Sequence, residues 1–281
     1  MKTHIITVST GSELYFPYLI DSCKKNGQEL TVLGYGEKWT GFTFKFDKMI
    51  QYLKKLNQND IVCFIDGYDV ICARNLDELT NVFLQIKKIH NCKIVIAENK
   101  IKIDNFFNSY NYINVRRYFG NCKKISINSG TYIGHVKDIL YILEQIYTGD
   151  NTLDDQQILT KYCKKSPNDI YIDINNELFL TIDRPFDSID SYINIKNNKI
   201  YHNNNQPFFI HGNGSTYLDS ILLHLGYKNV NINNKLYEKN VIKYYYVTYF
   251  SAFWYIIVYI VLFIILLIYI LAKKFIFYNI N

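Results

Sequence analysis

The 281-residue sequence lacks several features that would assign it to common classes of protein. Its 31 lysines and arginines are scattered among 25 aspartates and glutamates without a long basic block, so the net charge of +6 does not indicate nucleic-acid binding. No internal repeat is visible. The N-terminus has no secretory signal, because Met1–His4 leads directly into the β-branched run Ile5–Val8. We therefore expect the globular domain to start at residue 1.

The cysteines also lack the spacing of a metal-binding or redox motif. There is no CxxC pair, and no histidine is spaced to complete a zinc site. Cys63 lies within an apolar run, where a cysteine usually behaves as a small buried hydrophobic residue. We therefore expect reduced thiols. The six cysteines are Cys23, Cys63, Cys72, Cys92, Cys122 and Cys163.

One segment, residues 249–272, is far more apolar than the rest and carries no charge. As a helix it is longer than the roughly 30 Å hydrocarbon core of a bilayer, so we predict a transmembrane helix rather than a buried core helix. Residues 273–281 then form a short tail, and residues 227–248 form a polar connector to the anchor. Lysines before the span outnumber those after it, which predicts a cytosolic side for the domain.

The remaining residues, 1–226, read as one α/β domain. Apolar strand-like runs alternate with helical periodicity, which predicts a parallel sheet covered on both faces, with ligands beyond the carboxyl ends of the strands. The predicted strands are 4–9, 29–35, 61–65, 93–97, 125–127, 170–174 and 208–210. The predicted helices are 12–26, 47–56, 76–86 and 156–163.

Two carboxylates and one histidine follow such strands. Asp66 and Asp69 lie directly after the apolar strand at 61–65, and His211 follows the one at 208–210. Carboxylates can hold a divalent cation against a diphosphate, and an imidazole beside them favours Mn²⁺ or a similar metal over Ca²⁺. Each feature alone is also compatible with an ordinary turn.

Two further polar groups could position a sugar. Asn128, in an Asn-Ser-Gly sequence, offers an amide, and Asp154 and Asp155 offer carboxylates that can orient a donor or an acceptor. The alternatives are a common turn at Asn128 and a helix N-terminus favoured by the two aspartates.

Taken in order, these segments resemble the glycosyltransferase domain of procollagen lysyl hydroxylases over about residues 4–217, and they are more distantly similar to collagen galactosyltransferases. The order of the motifs makes the resemblance specific. The motifs are Ile5–Thr10, Val32–Gly41, Lys48, Phe64–Ile71, Ala97–Glu98, Asn128–Gly134, Asp154–Gln156 and His211–Gly214.

The resemblance implies a GT-A-like α/β fold, that is, a Rossmann-type nucleotide-sugar-binding sheet flanked by helices. It implies transfer of a hexose from a UDP-sugar to a protein or glycan acceptor. Asp66, Asp69 and His211 would bind Mn²⁺, and Asp154, Asp155 and Asn128 would act near the transferred sugar. The nucleotide-binding residues would be Thr7, Trp39, Lys48, Tyr68, Gly212, Asn213 and Gly214.

The chain also departs from the family. Gly67 replaces a commoner serine, Tyr217 stands where a lysine is frequent, and the Trp-Pro pair that often follows Ala-Glu is absent after Glu98. Collagen is therefore not implied as the substrate, and we expect no room for a hydroxylase half before the anchor. Two alternatives remain: a catalytically inactive membrane-tethered nucleotide- or sugar-binding protein, and a metal-dependent phosphohydrolase.

Overall fold

A computed structural model describes residues 1–101, 103, 106–183, 189–213, 216–230, 246, 250 and 253–273. Up to residue 100, strands alternate with helices as predicted. The strands are β1 (Thr3–Val8), β2 (Leu30–Leu33), β3 (Ile61–Ile65), β4 (Val70–Cys72) and β5 (Ile94–Lys100). The helices are α1 (Phe16–Lys25), α2 (Phe44–Leu53) and α3 (Leu79–His90), the last preceded by a 3₁₀ turn at Leu76–Glu78.

The second half contains smaller elements. Its helices are α4 (Phe106–Phe119), α5 (Val136–Ile146), α6 (Asp155–Lys165) and α7 (Asp219–His224), with a 3₁₀ turn at Ile189–Tyr192. Its strands are β6 (Ile127–His135), β7 (Ile170–Asp173), β8 (Phe179–Asp183), β9 (Asn194–Lys196), β10 (Lys199–Tyr201) and β11 (Phe209–Asn213). Strands β9 and β10 pair as a separate antiparallel hairpin.

The main sheet is mixed, so the prediction of a parallel sheet was wrong. Its order is β2-β1-β3-β6-β5-β8-β11-β4, with β7 paired to β5. Strand β6 is antiparallel to both β3 and β5, and β4 is antiparallel to β11. Strand β4 follows β3 after only residues 66–69 and pairs with β11 at the far edge of the sheet, so β3 and β4 are not neighbours.

Helices cover both faces of the sheet, as predicted. One apolar cluster packs α2, α5 and α6 against it, and a second packs α1 and α3 against its other face. Strand β3 is buried along its whole length, which leaves the residue after it, Asp66, as the first polar group at its carboxyl end. A third cluster surrounds α7.

Cys122 and Cys163 form a disulfide, so the expectation of reduced thiols was wrong for this pair. They lie 41 residues apart in sequence, but the segment before β6 and helix α6 bring them together in the fold. The other four cysteines are free and buried, and Cys63 is fully buried in the core as expected.

Helix α8, residues Phe253–Lys273, lies within and just beyond the predicted transmembrane segment. Its most apolar 18-residue window has a mean hydropathy of 3.1, and no part of that window is buried inside the protein. Among the described residues it is the one helix long and apolar enough to cross a membrane, by length and composition.

Candidate functional site

Strand pairing brings Asp66, Asp69 and His211 together. Asp66 follows β3, and Asp69 immediately precedes β4, whose Val70 lies opposite His211 of β11. The ligand atoms of the three side chains lie within 4.8 Å of one another. His211 Nε2 is 3.2 Å from Asp69 Oδ2, and the histidine is only 2% exposed. The predicted group is therefore assembled by the fold.

Asn128 fixes the orientation of the His211 ring. Its Oδ1 accepts the Gly130 N–H at 2.8 Å and lies 3.1 Å from His211 Nδ1. Because an oxygen that accepts the Gly130 N–H can only accept from the ring too, Nδ1 carries a proton and donates it. The other nitrogen, Nε2, is thereby directed at the carboxylates, as in sites where a second residue orients a metal-binding histidine.

The space around these atoms suits a small ion. A Cβ at Gly130 would lie 2.5 Å from His211 Cε1 and 2.6 Å from Asp66 Oδ2, so any larger residue would displace the ligands. Burial lowers the pKa of His211, but Asp69 and Asp66 outweigh it and hold the pKa above its ordinary value. A positive charge is thus favoured at this point, and two carboxylates with one imidazole fit Mn²⁺ or a similar ion.

Lys45 of α2 joins the metal group to Asp155. Its Nζ lies 2.9 Å from Asp66 Oδ1 and 2.7 Å from Asp155 Oδ2, and its side chain is 8% exposed. Burial would lower the pKa of Lys45, but the Asp155 and Asp66 carboxylates raise it above its ordinary value, so the amine is charged. The Lys45 ammonium thus pairs with one carboxylate of the metal group and with Asp155 at the same time.

The other predicted catalytic residues lie beside this group. Asp154 is the N-cap of α6 and accepts the Gln157 N–H at 2.8 Å, and burial raises its pKa. Asn128 Nδ2 lies 3.5 Å from Gln156 Oε1. The helix-capping alternative is therefore realised at Asp154, whereas Asp155 turns inward to Lys45.

A cavity of about 480 Å³ opens next to the carboxylates. Tyr68 lines it, and its hydroxyl is held by the backbone N–H groups of Thr10 and Gly11 at 3.0 and 3.2 Å. Trp39 also lines it and is 39% exposed, so an aromatic surface is available to a base. The lining residues are Val8, Thr10, Glu13, Trp39, Phe42, Lys45, Asp66, Gly67, Tyr68 and Asp69.

Thr7 and Lys48 are not among the residues that line this cavity. Thr7 is fully buried in β1, and its Oγ1 would touch a Cβ at Gly67 at 3.1 Å. Lys48 Nζ pairs with Glu37 at 2.5 Å. Thr10 and Lys45, the same residue types three positions away in sequence, do line it.

The His-Gly-Asn-Gly segment is described up to Asn213. The Gly212 N–H donates to the Asp69 carbonyl at 2.8 Å, and a Cβ at Gly212 would lie 2.6 Å from the Thr216 carbonyl. Asn213 Nδ2 donates to Asn99 Oδ1 at 3.2 Å. Gly214 lies outside the described residues.

The fold and this site agree with a family match. The family model described as "PLOD GT domain" matches residues 1–235, and the chain therefore belongs to this glycosyltransferase family. The resemblance to the glycosyltransferase domain of procollagen lysyl hydroxylases is thereby confirmed.

Individual relatives are distant and much longer. The chain is 26% identical over 235 residues to the procollagen-lysine,2-oxoglutarate 5-dioxygenase of Drosophila melanogaster, covering 78% of this chain and 31% of that protein. It is 25% identical over 237 residues to the multifunctional procollagen lysine hydroxylase and glycosyltransferase LH3 of Rattus norvegicus, covering 77% and 30%. The chain thus spans about a third of the length of these relatives.

A solved glycosyltransferase structure is also similar in part. It is described as involved in the glycosylation of the major capsid of PBCV-1. The match has a TM-score of 0.48 at 13% identity and covers 77% of this chain and 96% of that one.

Proposed function

We propose that the chain transfers a hexose from a UDP-sugar to a hydroxyl of a protein or glycan acceptor, with a divalent metal at Asp66, Asp69 and His211. The observation that carries the proposal is the convergence of these three side chains beside an aromatic-lined cavity. Membership of a glycosyltransferase family supports the reaction type. A GT-A-like arrangement of domain 1–226 belongs to the same proposal.

The metal would supply positive charge to the diphosphate that leaves during transfer. The chain's own residues prepare for this. Asn128 holds His211 in one tautomer, and Gly130 leaves room between His211 and Asp66. Lys45 holds the Asp66 and Asp155 carboxylates in place through its two ion pairs, so neither need reorient when the donor binds.

The cavity residues would hold the nucleotide. Tyr68, fixed through its hydroxyl, presents a ring face for stacking on uracil, and Trp39 presents a second aromatic surface. Asp155 pairs with Lys45, and Asn128 lies near Gln156 of the same helix. We assign Asp155, Asp154 and Asn128 to the transferred sugar and the acceptor hydroxyl. For Lys48, Thr7, Gly212, Asn213 and Gly214 this proposal keeps the nucleotide-binding roles that the resemblance implies.

We further propose that the predicted transmembrane segment 249–272, which includes nearly all of α8, anchors the domain in a membrane. Residues 227–248 would connect the domain to this anchor. The lysine asymmetry predicts a cytosolic domain, but the Cys122–Cys163 disulfide favours an oxidising compartment. We give the disulfide more weight, because the lysine difference is small. Digestion of the domain by protease added to sealed microsomes would contradict the oxidising orientation.

The test is a donor and acceptor screen with the full-length chain in detergent micelles. With Mn²⁺, UDP-glucose or UDP-galactose should release UDP slowly alone and faster when a hydroxylysine peptide or glycan acceptor is added. A phosphohydrolase would release UMP or phosphate without an acceptor. A binding protein would retain the donor unchanged. Either of these results would overturn the proposed function.

A further inference from the structure

Asp183, at the carboxyl end of β8, is a buried carboxylate with little to satisfy it. The residue is 4% exposed, and Asn111 Nδ2 of α4 lies 3.5 Å from its Oδ1. No lysine or arginine pairs with it in the described part of the chain. Burial raises the pKa of Asp183 to about 7, although the Asn111 amide, His211 and the Asn99 amide favour the ionised form. Buried polar groups without full partners are uncommon and require an explanation.

A second buried aspartate shows what a structural role looks like in the same fold. Asp173, at the end of β7, is fully buried, and its two oxygens accept three backbone N–H groups. These come from Glu177 at 3.0 Å, Leu178 at 2.8 Å and Phe179 at 2.9 Å. Asp173 thus closes the turn into β8. Asp183 receives no backbone N–H among the described residues and closes no such turn.

Strand register places Asp183 close to the candidate metal group. In the parallel pair β8 and β11, Thr181 lies beside His211 and Asp183 lies beside Asn213. Registered residues of parallel strands point to the same face, so Asp183 and Asn213 extend the row of His211 by one repeat, roughly 7 Å further along the strands. This is the carboxyl end of both strands, where ligands of α/β sheets bind.

A buried amide lies in the same place. Asn99 of β5 pairs in register with Thr181, and its Oδ1 accepts Asn213 Nδ2 at 3.2 Å. Asn99 is 5% exposed, and its Nδ2 makes no hydrogen bond of ordinary length in the described structure, although the amide lies beside the Asp183 carboxylate and favours its ionised form. Asn99, Asp183 and Asn213, here called the amide–carboxylate cluster, therefore hold an amide donor next to a carboxylate that it does not fully satisfy.

The geometry points to the hydroxyls of the donor's hexose as the ligand of the amide–carboxylate cluster, and this inference rests on the proposed function. A nucleotide-sugar is linear, with the diphosphate between the nucleoside and the sugar. The aromatic cavity lies on the β1 and β3 side of the metal group, and the cluster lies on the β5, β8 and β11 side. A hexose hydroxyl can donate a hydrogen bond to the carboxylate and accept one from the amide. A neutral sugar is bound through several such hydroxyl contacts.

The test compares Asp183→Asn with Asp173→Asn in the full-length chain. Calorimetry with Mn²⁺ measures the affinity for UDP, UDP-glucose and UDP-galactose. The wild-type chain should bind one UDP-hexose at least about tenfold more tightly than UDP. Asp183→Asn should keep its UDP affinity and lose most of that advantage, without a lower melting temperature, because a poorly paired buried charge is removed. Asp173→Asn should melt earlier and keep the advantage.

Asn99→Ala is the second variant, in case Asp183→Asn does not fold, and it should also lose the hexose advantage. The inference is overturned if the folded variants keep the advantage, or if the wild-type chain binds UDP but neither hexose donor more tightly than UDP. Failure of the wild-type chain to bind UDP at all would instead overturn the proposed function, and the inference with it.

Discussion

Lys45 is the residue that links the two halves of the candidate site, because it pairs with Asp66 and Asp155 at once. Lys45→Met should lower the free energy of unfolding by about 3 kcal/mol, since it leaves buried carboxylates without a counter-charge. Chemical denaturation would measure this. The control Lys54→Met breaks an exposed pair with Glu144 and should cost at most about 0.5 kcal/mol. Equal effects of the two variants would show that the Lys45 pairs are energetically unimportant.

Asp69 provides the sharpest test of the metal group at the level of one side chain. Asp69→Asn keeps the size of the residue but removes a charge and a metal-binding oxygen. Turnover of the UDP-hexose should fall on the order of a hundredfold or more, and Mn²⁺ binding measured by electron paramagnetic resonance should weaken in parallel. The melting temperature should not fall, because Asp69 is partly exposed.

Asp77→Asn, in the exposed 3₁₀ turn before α3, is the matched control for Asp69→Asn and should retain turnover. If Asp69→Asn instead binds Mn²⁺ and turns over like the wild-type chain, Asp69 is an ordinary turn residue. In that case the assignment of the metal group is wrong.

At the scale of elements, the disulfide joins helix α6 to the segment just before β6. Helix α6 carries Asp155, and strand β6 carries Asn128. Cys122→Ser should lower the free energy of unfolding by roughly 4 kcal/mol, as expected for cysteines 41 residues apart. The reductant dithiothreitol should lower the melting temperature of the wild-type chain to that of the variant. Cys92→Ser, a change at a free buried cysteine, should leave the sensitivity to reductant intact. A wild-type chain unaffected by reductant would contradict the disulfide.

The strands and helices of the first half were predictable from periodicity, but details at their ends were not. Helix α2 begins at Phe44 instead of Asp47, which places Lys45 in its first turn at the carboxylates. Helix α1 begins after Leu14, whose φ of 48° is left-handed and interrupts the predicted helix. The antiparallel entry of β6 could not be predicted, because side-chain alternation is the same in either strand direction.

The same limits apply to the site. Asp66, Asp69 and His211 could be predicted because each follows an apolar strand in a motif of the family. Asp183 and Asn99 could not be predicted from the sequence, because the role we infer for them depends on strand register and burial. Neither residue stands in a motif of its own. The Cys122–Cys163 pair was missed because it depends on which distant segments meet.

For the whole molecule, the exposed apolar α8 is the basis of the proposed membrane anchor. Removal of residues 249–281 should abolish membrane retention in cell fractionation, because no other stretch of the sequence approaches the roughly 20 apolar residues that a spanning helix needs. Removal of residues 274–281 alone is the control and should leave the chain in the membrane. A chain without residues 249–281 that still resists carbonate extraction would reveal a second attachment.

The central claim is that a metal bridges Asp66, Asp69 and His211 to the diphosphate of a UDP-sugar. Calorimetric titration of the full-length chain with UDP, once with Mn²⁺ and once with excess chelator, tests it most directly. We predict binding with Mn²⁺ and its loss in chelator, because the carboxylates would otherwise repel the diphosphate. Equal UDP affinity under the two conditions would contradict the claim.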